Sequence, residues 1–192
     1  MLHELRTIGR GRGNLRDLAG LVGENKPGGV FQTEVGEMGQ IVMIRPFEPE
    51  PAAVGTGARP EGRRGGSDQV YGQVELLQPA PFMRPLQPQQ LGSVWELRWL
   101  DYPPYAVEAA VDWYSRWMPH REEYSPVVGC WKVQVGPTRG RLYFLLPYRD
   151  WDHRDEIRAR LRADPSWPPK TGVPPTQGGS ILMLPAPFSP LH

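Results

Sequence analysis

The chain of 192 residues has a single cysteine, Cys130, which excludes an internal disulfide and any site built from several thiolates. No apolar run approaches the roughly 20 residues that a membrane-crossing helix needs. Met1 leads straight into an alternating strand pattern with no signal-peptide core, so a cytoplasmic, membrane-free protein is expected. The net charge is only +1, which supplies no basic field for nucleic acid, and none is expected as a partner. Glycine-rich dinucleotide and phosphate loops are missing, as are a Gly-x-Ser-x-Gly elbow, a His-Glu-x-x-His helix and paired-cysteine zinc spacing. No cofactor and no metal are therefore expected. No tryptophan occurs before Trp95, although the chain has seven.

What the sequence does contain is a message given twice. Met1-Leu-His-Glu-Leu-Arg6 is echoed by Val94-Trp-Glu-Leu-Arg98, and Phe31-Gln-Thr-Glu-Val-Gly36 by Trp131-Lys-Val-Gln-Val-Gly136. Each half then closes on one phrase, Leu77-Gln-Pro-Ala-Pro-Phe82 and Met183-Leu-Pro-Ala-Pro-Phe188. The landmarks keep their order at offsets of 92, 100 and 106 residues. A repeat of this length is a duplicated domain and not a solenoid unit. A half of about 95 residues is marginal alone, because small domains bury a smaller share of their surface. Two halves packed around a pseudo-two-fold axis would relieve that.

The same residues carry a family resemblance. Glu96-Leu97-Arg98, Trp131 to Gly136, Tyr148-Arg-Asp150, Asp164-Pro165-Ser166-Trp167 and Pro185-Ala-Pro-Phe-Ser-Pro-Leu191 resemble the NIPSNAP family over nearly all of the second half. The first half matches at its start, hairpin and close. The resemblance implies a ferredoxin-like βαββαβ domain of the dimeric α/β-barrel type, and it implies no particular reaction. The expected fold is α+β: two tandem ferredoxin-like repeats forming an intramolecular α/β-barrel, the first lacking its second helix. The expected division is residues 1–82, a linker over 83–92, and a fuller repeat over 93–192.

Local patterns fill in this outline. Residues 1–8 alternate as a strand, Asn14 is placed to cap a short helix ending at Gly23, and 30–36 and 40–47 form a hairpin. Residues 48–69 are dense in Pro, Gly and Arg, and too poor in apolar side chains to offset their ordering entropy, which predicts a mobile loop. In the second half, 103–118 reads as a helix with Ala106, Ala110, Trp113 and Trp117 on one face. A second helix runs to Arg162, capped by Asp152, with Ile157 and Leu161 inward and an arginine stripe outward.

Residues two apart on a strand share a face. With Leu5 and Leu97 toward the helices, Glu4, Arg6, Glu96 and Arg98 would line the barrel interior as one charged cluster. There they form either an ion-pair network that fixes register or, through an arginine, a clamp for a ligand carboxylate or enolate. Of the four histidines, His120 is the candidate base, since it follows the Trp113/Trp117 helix and precedes Tyr124. Tyr143 is the candidate hydrogen-bond donor, Trp131 an apolar wall, and Trp117 and Tyr124 further ligand contacts. The four residues Arg98, His120, Trp131 and Tyr143 are expected to border one cleft. The function expected is binding of a small apolar or aromatic ligand, with cofactor-independent proton-transfer or oxygenase-type chemistry, in a chain able to form a homodimer. A partner-binding scaffold and a haem protein with His120 as axial ligand are the alternatives.

Overall fold

The computed structural model of the protein describes residues 1–9, 27–47, 72–168 and 173–192. The expected helix after Asn14 and the 48–69 loop lie outside the described residues. The strands are β1 (Leu2–Ile8), β2 (Gly29–Val35), β3 (Ile41–Phe47), β4 (Gly72–Pro79), β5 (Val94–Asp101), β6 (Gly129–Val135), β7 (Arg141–Tyr148) and β8 (Gln177–Pro185). Two helices are described: α1 (Val107–Glu122), entered through a 3-10 turn at Pro104–Ala106, and α2 (Trp151–Ala163).

The eight strands close into one barrel in the order β1-β3-β2-β8-β5-β7-β6-β4, and every neighbouring pair is antiparallel. Each half contributes four adjacent strands in the same order: last, first, third, second. The halves meet at two seams, β2–β8 and β4–β6. Register agrees between the halves as well. Glu4 stands opposite Leu76, and Glu96 opposite Leu182. One seam slips between Thr33 and Val35, and the other between Val133 and Val135, the positions 100 residues later.

Eight strands enclose a space just wide enough for side chains to fill. Leu5, Phe31, Ile44 and Leu77 of the first half meet Leu97, Trp131, Leu145 and Met183 of the second in a single buried cluster that includes no helical residue. Glycines make room for the two rings. A Cβ at Gly129 would lie 1.8 Å from Trp131 Cη2, and one at Gly29 would lie 2.5 Å from Phe31 Cε2. The second core lies outside the barrel, where Leu100, Leu142, Phe144, Leu146 and Tyr148 pack against Ala110, Trp113, Tyr114, Ile157 and Leu161 of the helices.

This arrangement reverses one expectation. Leu5 and Leu97 point into the barrel, so Glu4, Arg6, Glu96 and Arg98 lie on its outer face. The physical reason is solvation: the filled interior offers neither water nor space for four charges, whereas the outer face borders solvent and the arginines of α2. Two further corrections concern α2. Its N-cap is Asp150, whose Oδ1 accepts from the His153 N–H at 2.7 Å, not Asp152. Its arginines are not all outward, since Arg154 reaches the buried Glu96 at 3.0 Å.

The 83–92 segment is held down. Leu86 is buried in the barrel cluster, and Gln89 bridges to Leu191. The closing phrase is tied to the first half, since Ser189 Oγ accepts from the Val30 N–H at 3.1 Å and donates to the Leu191 carbonyl.

Candidate functional site

A cavity of about 370 Å³ lies between the two helices and the outer face of β5 and β7. The sheet contributes Leu100, Phe144 and Leu146 to its walls, α1 contributes Tyr114 and Met118, and α2 contributes Leu161. Val127, Trp167 and Pro168 close it from the loops, and four arginines, Arg98, Arg121, Arg158 and Arg162, complete the lining among the described residues. Concave, mainly apolar sites of this size with a few fixed polar groups are the usual form of a small-molecule site.

The arginines are organised around one carboxylate. Glu96 is fully buried, and its oxygens accept from Arg154 Nε at 3.0 Å and Ser180 Oγ at 2.5 Å. Arg98 Nη1 and Arg158 Nη1 both stand 3.9 Å from the same Glu96 oxygen, outside hydrogen-bond range. Arg121, only 5% exposed, donates to both the carbonyl and the hydroxyl of Ser125 at 3.1 Å. Burial lowers its pKa from the ordinary guanidinium value, and Arg98 and Arg158 lower it further, against the opposing charge of Glu96.

Asp164 of the Asp-Pro-Ser-Trp motif organises the cavity's outer edge. It accepts from the Ser166 N–H at 2.8 Å, Ser166 Oγ at 2.5 Å and Tyr124 OH at 2.9 Å, and meets His120 Nε2 at 2.7 Å. The Ser166 bonds, then the His120 bond, hold its carboxyl well below the usual range. The ring of His120 stands 6.5 Å from that of Trp167. The motif therefore positions Trp167 as a wall of the cavity. Ser166 Oγ and Asp164 both face the same His120 nitrogen. A nucleophile relay needs its serine and its carboxylate on opposite imidazole nitrogens, so this trio is a brace and not a triad.

The expected common cleft does not form. Arg98 lines the cavity, and Glu96 sits behind its floor. His120, Tyr124 and Trp117 gather at the outer edge, with the ring centroids of Trp117 and Tyr124 6.4 and 5.8 Å from that of His120. Trp131 and Tyr143 lie on the other side of the sheet, in the barrel. The OH of Tyr143 donates to Glu75 Oε2 at 2.7 Å, and burial, followed by the Glu75 charge, pushes its pKa up. Glu4 and Arg6 form a separate group in the first half, where Arg6 and Arg45 reach Glu4 at 2.6 and 2.9 Å. The charged cluster expected across the halves is two networks. Arg98 is no more desolvated than Arg6, with 36% against 32% of its side chain exposed.

Sequence reasoning missed Arg121, Arg158, Trp167 and Glu75. Arg158 had a signal: it lies one residue past Ile157 and four past Arg154, beside the buried stripe of α2. Arg121 had none, because only the turn at Ser125 makes it a buried residue. Among the described residues, no group of His, Cys, Asp and Glu could hold a metal ion, and no helix is long and apolar enough to cross a membrane.

Barrel order, antiparallel pairing and an outer helical layer define a ferredoxin-fold barrel protein with a pocket between helices and sheet. A model of the NIPSNAP family matches residues 95–190, half of the chain, so the chain belongs to the NIPSNAP family. It is similar to a NIPSNAP domain protein of Burkholderia xenovorans, 26% identical over 50% of this chain and 96% of that one, with a TM-score of 0.45. Over 96% of its length it is similar in fold to two candidate monooxygenases. One, from Lactobacillus acidophilus, is 8% identical over 93% of its own chain, with a TM-score of 0.51. The other, from Fusobacterium nucleatum, is 7% identical over 91% of its chain, with a TM-score of 0.52. No curated protein matches the chain.

Proposed function

We propose that the protein binds a small apolar or aromatic molecule in the cavity between α1, α2 and the outer face of β5 and β7. The supporting observation is the cavity itself: 370 Å³, walled by Leu100, Tyr114, Phe144, Leu161 and Trp167. Among the described residues, all its lining comes from the second half. The barrel interior is no competitor, because Phe31, Trp95, Trp131 and Met183 fill it with zero exposure. The reading is of binding. His120, the candidate base, and Tyr143, the candidate hydrogen-bond donor, are engaged by Asp164 and Glu75 and lie outside the cavity lining. The monooxygenase names of the two fold neighbours belong to those proteins, and likeness of fold alone carries no reaction.

The proposal is tested by filling the cavity. Leu161→Trp should abolish binding of an apolar fluorophore such as N-phenyl-1-naphthylamine, while the far-UV circular dichroism stays that of the wild type. Unchanged binding in that variant would place the ligand elsewhere and overturn the reading.

We also infer that the halves are two copies of one domain. The shared strand order, the seam slips at equivalent positions and the Gly-x-aromatic steps at Gly29-Phe31 and Gly129-Trp131 support this. In this reading the second copy kept the binding site and the first completes the barrel. Residues 83–192 expressed alone should then pair with themselves to rebuild a barrel of two identical halves. A soluble monomer in sedimentation would contradict it.

A further inference from the structure

The inference rests on the binding proposal and names the ligand's chemistry. Among the described residues, four guanidinium groups line the cavity and no carboxylate does. The carboxylate behind the floor, Glu96, is already satisfied by Arg154 and Ser180. Arg98 and Arg158 approach one of its oxygens no closer than 3.9 Å, and neither has a hydrogen-bond acceptor among the described residues. A guanidinium has five donors in a planar fork and cannot be discharged at any physiological pH. Both forks converge on one oxygen of Glu96, so with Arg154 three guanidinium groups share a single carboxylate and the cluster beside the apolar chamber keeps a net positive charge. With Arg121 and Arg162 added, the excess of positive charge is local to this cavity in a chain whose net charge is only +1.

We propose that the cavity selects an anionic amphiphile, a flat aromatic or alicyclic body carrying one compact oxyanion that Arg98 and Arg158 clamp. Charge-assisted, bidentate bonds of guanidinium to an oxyanion are the strong class of hydrogen bond. Trp167, Tyr114 and Phe144 supply flat apolar surface for the body. Arg121, fixed by Ser125, is already committed and serves to hold the field, not to grip.

The experiment uses two probes that share one aromatic body. 1-Anilinonaphthalene-8-sulfonate carries the oxyanion, and N-phenyl-1-naphthylamine lacks it. Fluorescence titration of the full chain should show the sulfonate binding at least about tenfold tighter than the amine, as expected for one or two charge-assisted bonds. The double variant Arg98→Gln, Arg158→Gln should remove that advantage and leave the amine's affinity within about twofold. Both arginines are partly exposed, and circular dichroism checks that the variant folds. Should it not fold, the single variant Arg98→Gln is read in its place, with a loss of sulfonate affinity expected and none for the amine. Equal affinities in the wild type, or a sulfonate advantage that survives the double variant, overturn the oxyanion clamp and leave the pocket reading standing. Binding of both probes that survives Leu161→Trp overturns the pocket reading instead.

Discussion

Removing the charge from Glu96 is the most informative single perturbation of this molecule. The carboxylate has no exposure, and its two strong partners are Arg154 Nε at 3.0 Å and Ser180 Oγ at 2.5 Å. Glu96→Gln keeps the volume and one acceptor oxygen, but it leaves Arg154, whose side chain is 17% exposed, beside a neutral group. Breaking a buried pair by removing one partner costs about 3–5 kcal/mol. Because Arg154 retains some water and the amide still accepts a bond, the low end, about 3 kcal/mol, applies. For a chain of this size each kcal/mol moves the melting temperature by about 2–4 °C, so a drop of about 6–12 °C is expected. Arg98→Ala, by contrast, removes a half-exposed side chain 3.9 Å from its carboxylate and should cost no more than about 1 kcal/mol. Thermal and urea unfolding followed by circular dichroism measure both. If Glu96→Gln unfolds within 1 kcal/mol of the wild type, or Arg98→Ala costs as much, Glu96 is not the keystone of this network.

Three other perturbations probe other regions. Gly129→Ala places a carbon 1.8 Å from Trp131 Cη2, so the ring must move within a filled barrel; a loss of about 3 kcal/mol, the upper end for overpacking, is expected in denaturant melts. His3, buried against Trp131, has its pKa lowered to about 4 by burial and then by the N-terminal charge. The folded chain resists a proton that the unfolded chain accepts, so stability should fall as pH drops from about 6.5 to about 4. His3→Leu should flatten that slope, and an unchanged slope would acquit His3. Asp164→Ala releases Ser166, Tyr124 and His120 together, and should weaken probe binding through Trp167 while leaving the second-half hairpin intact, which amide exchange can read.

The barrel was legible because its signals are local and doubled. The Glu-Leu-Arg strands, the two hairpins and the closing phrases each mark a strand, and their offsets fix which strands correspond. Orientation was not legible. Alternation says that Leu97 and Arg98 face opposite ways, but not which of them faces the barrel, and that choice depends on an interior only eight strands wide. Trp131 and Tyr143 were expected beside Arg98 and lie across the sheet from it for the same reason. The cavity arginines come from β5, the end of α1 and α2, so only the packing of helices on the sheet brings them together. His120 was found in the right neighbourhood, yet its task there is to hold the Asp164 turn.

Because both seams join the first half to the second, the barrel offers no free strand edge to another chain and does not dissociate on dilution. A barrel made from two identical chains must present every contact twice. Here the two sides are free to differ, as Glu75 shows: it crosses a seam to accept from Tyr143, while the equivalent positions hold Ile181 and Val42. One seam carries a buried acid and the other aliphatic side chains at the equivalent positions, an asymmetry open only to a molecule that carries both halves on one thread.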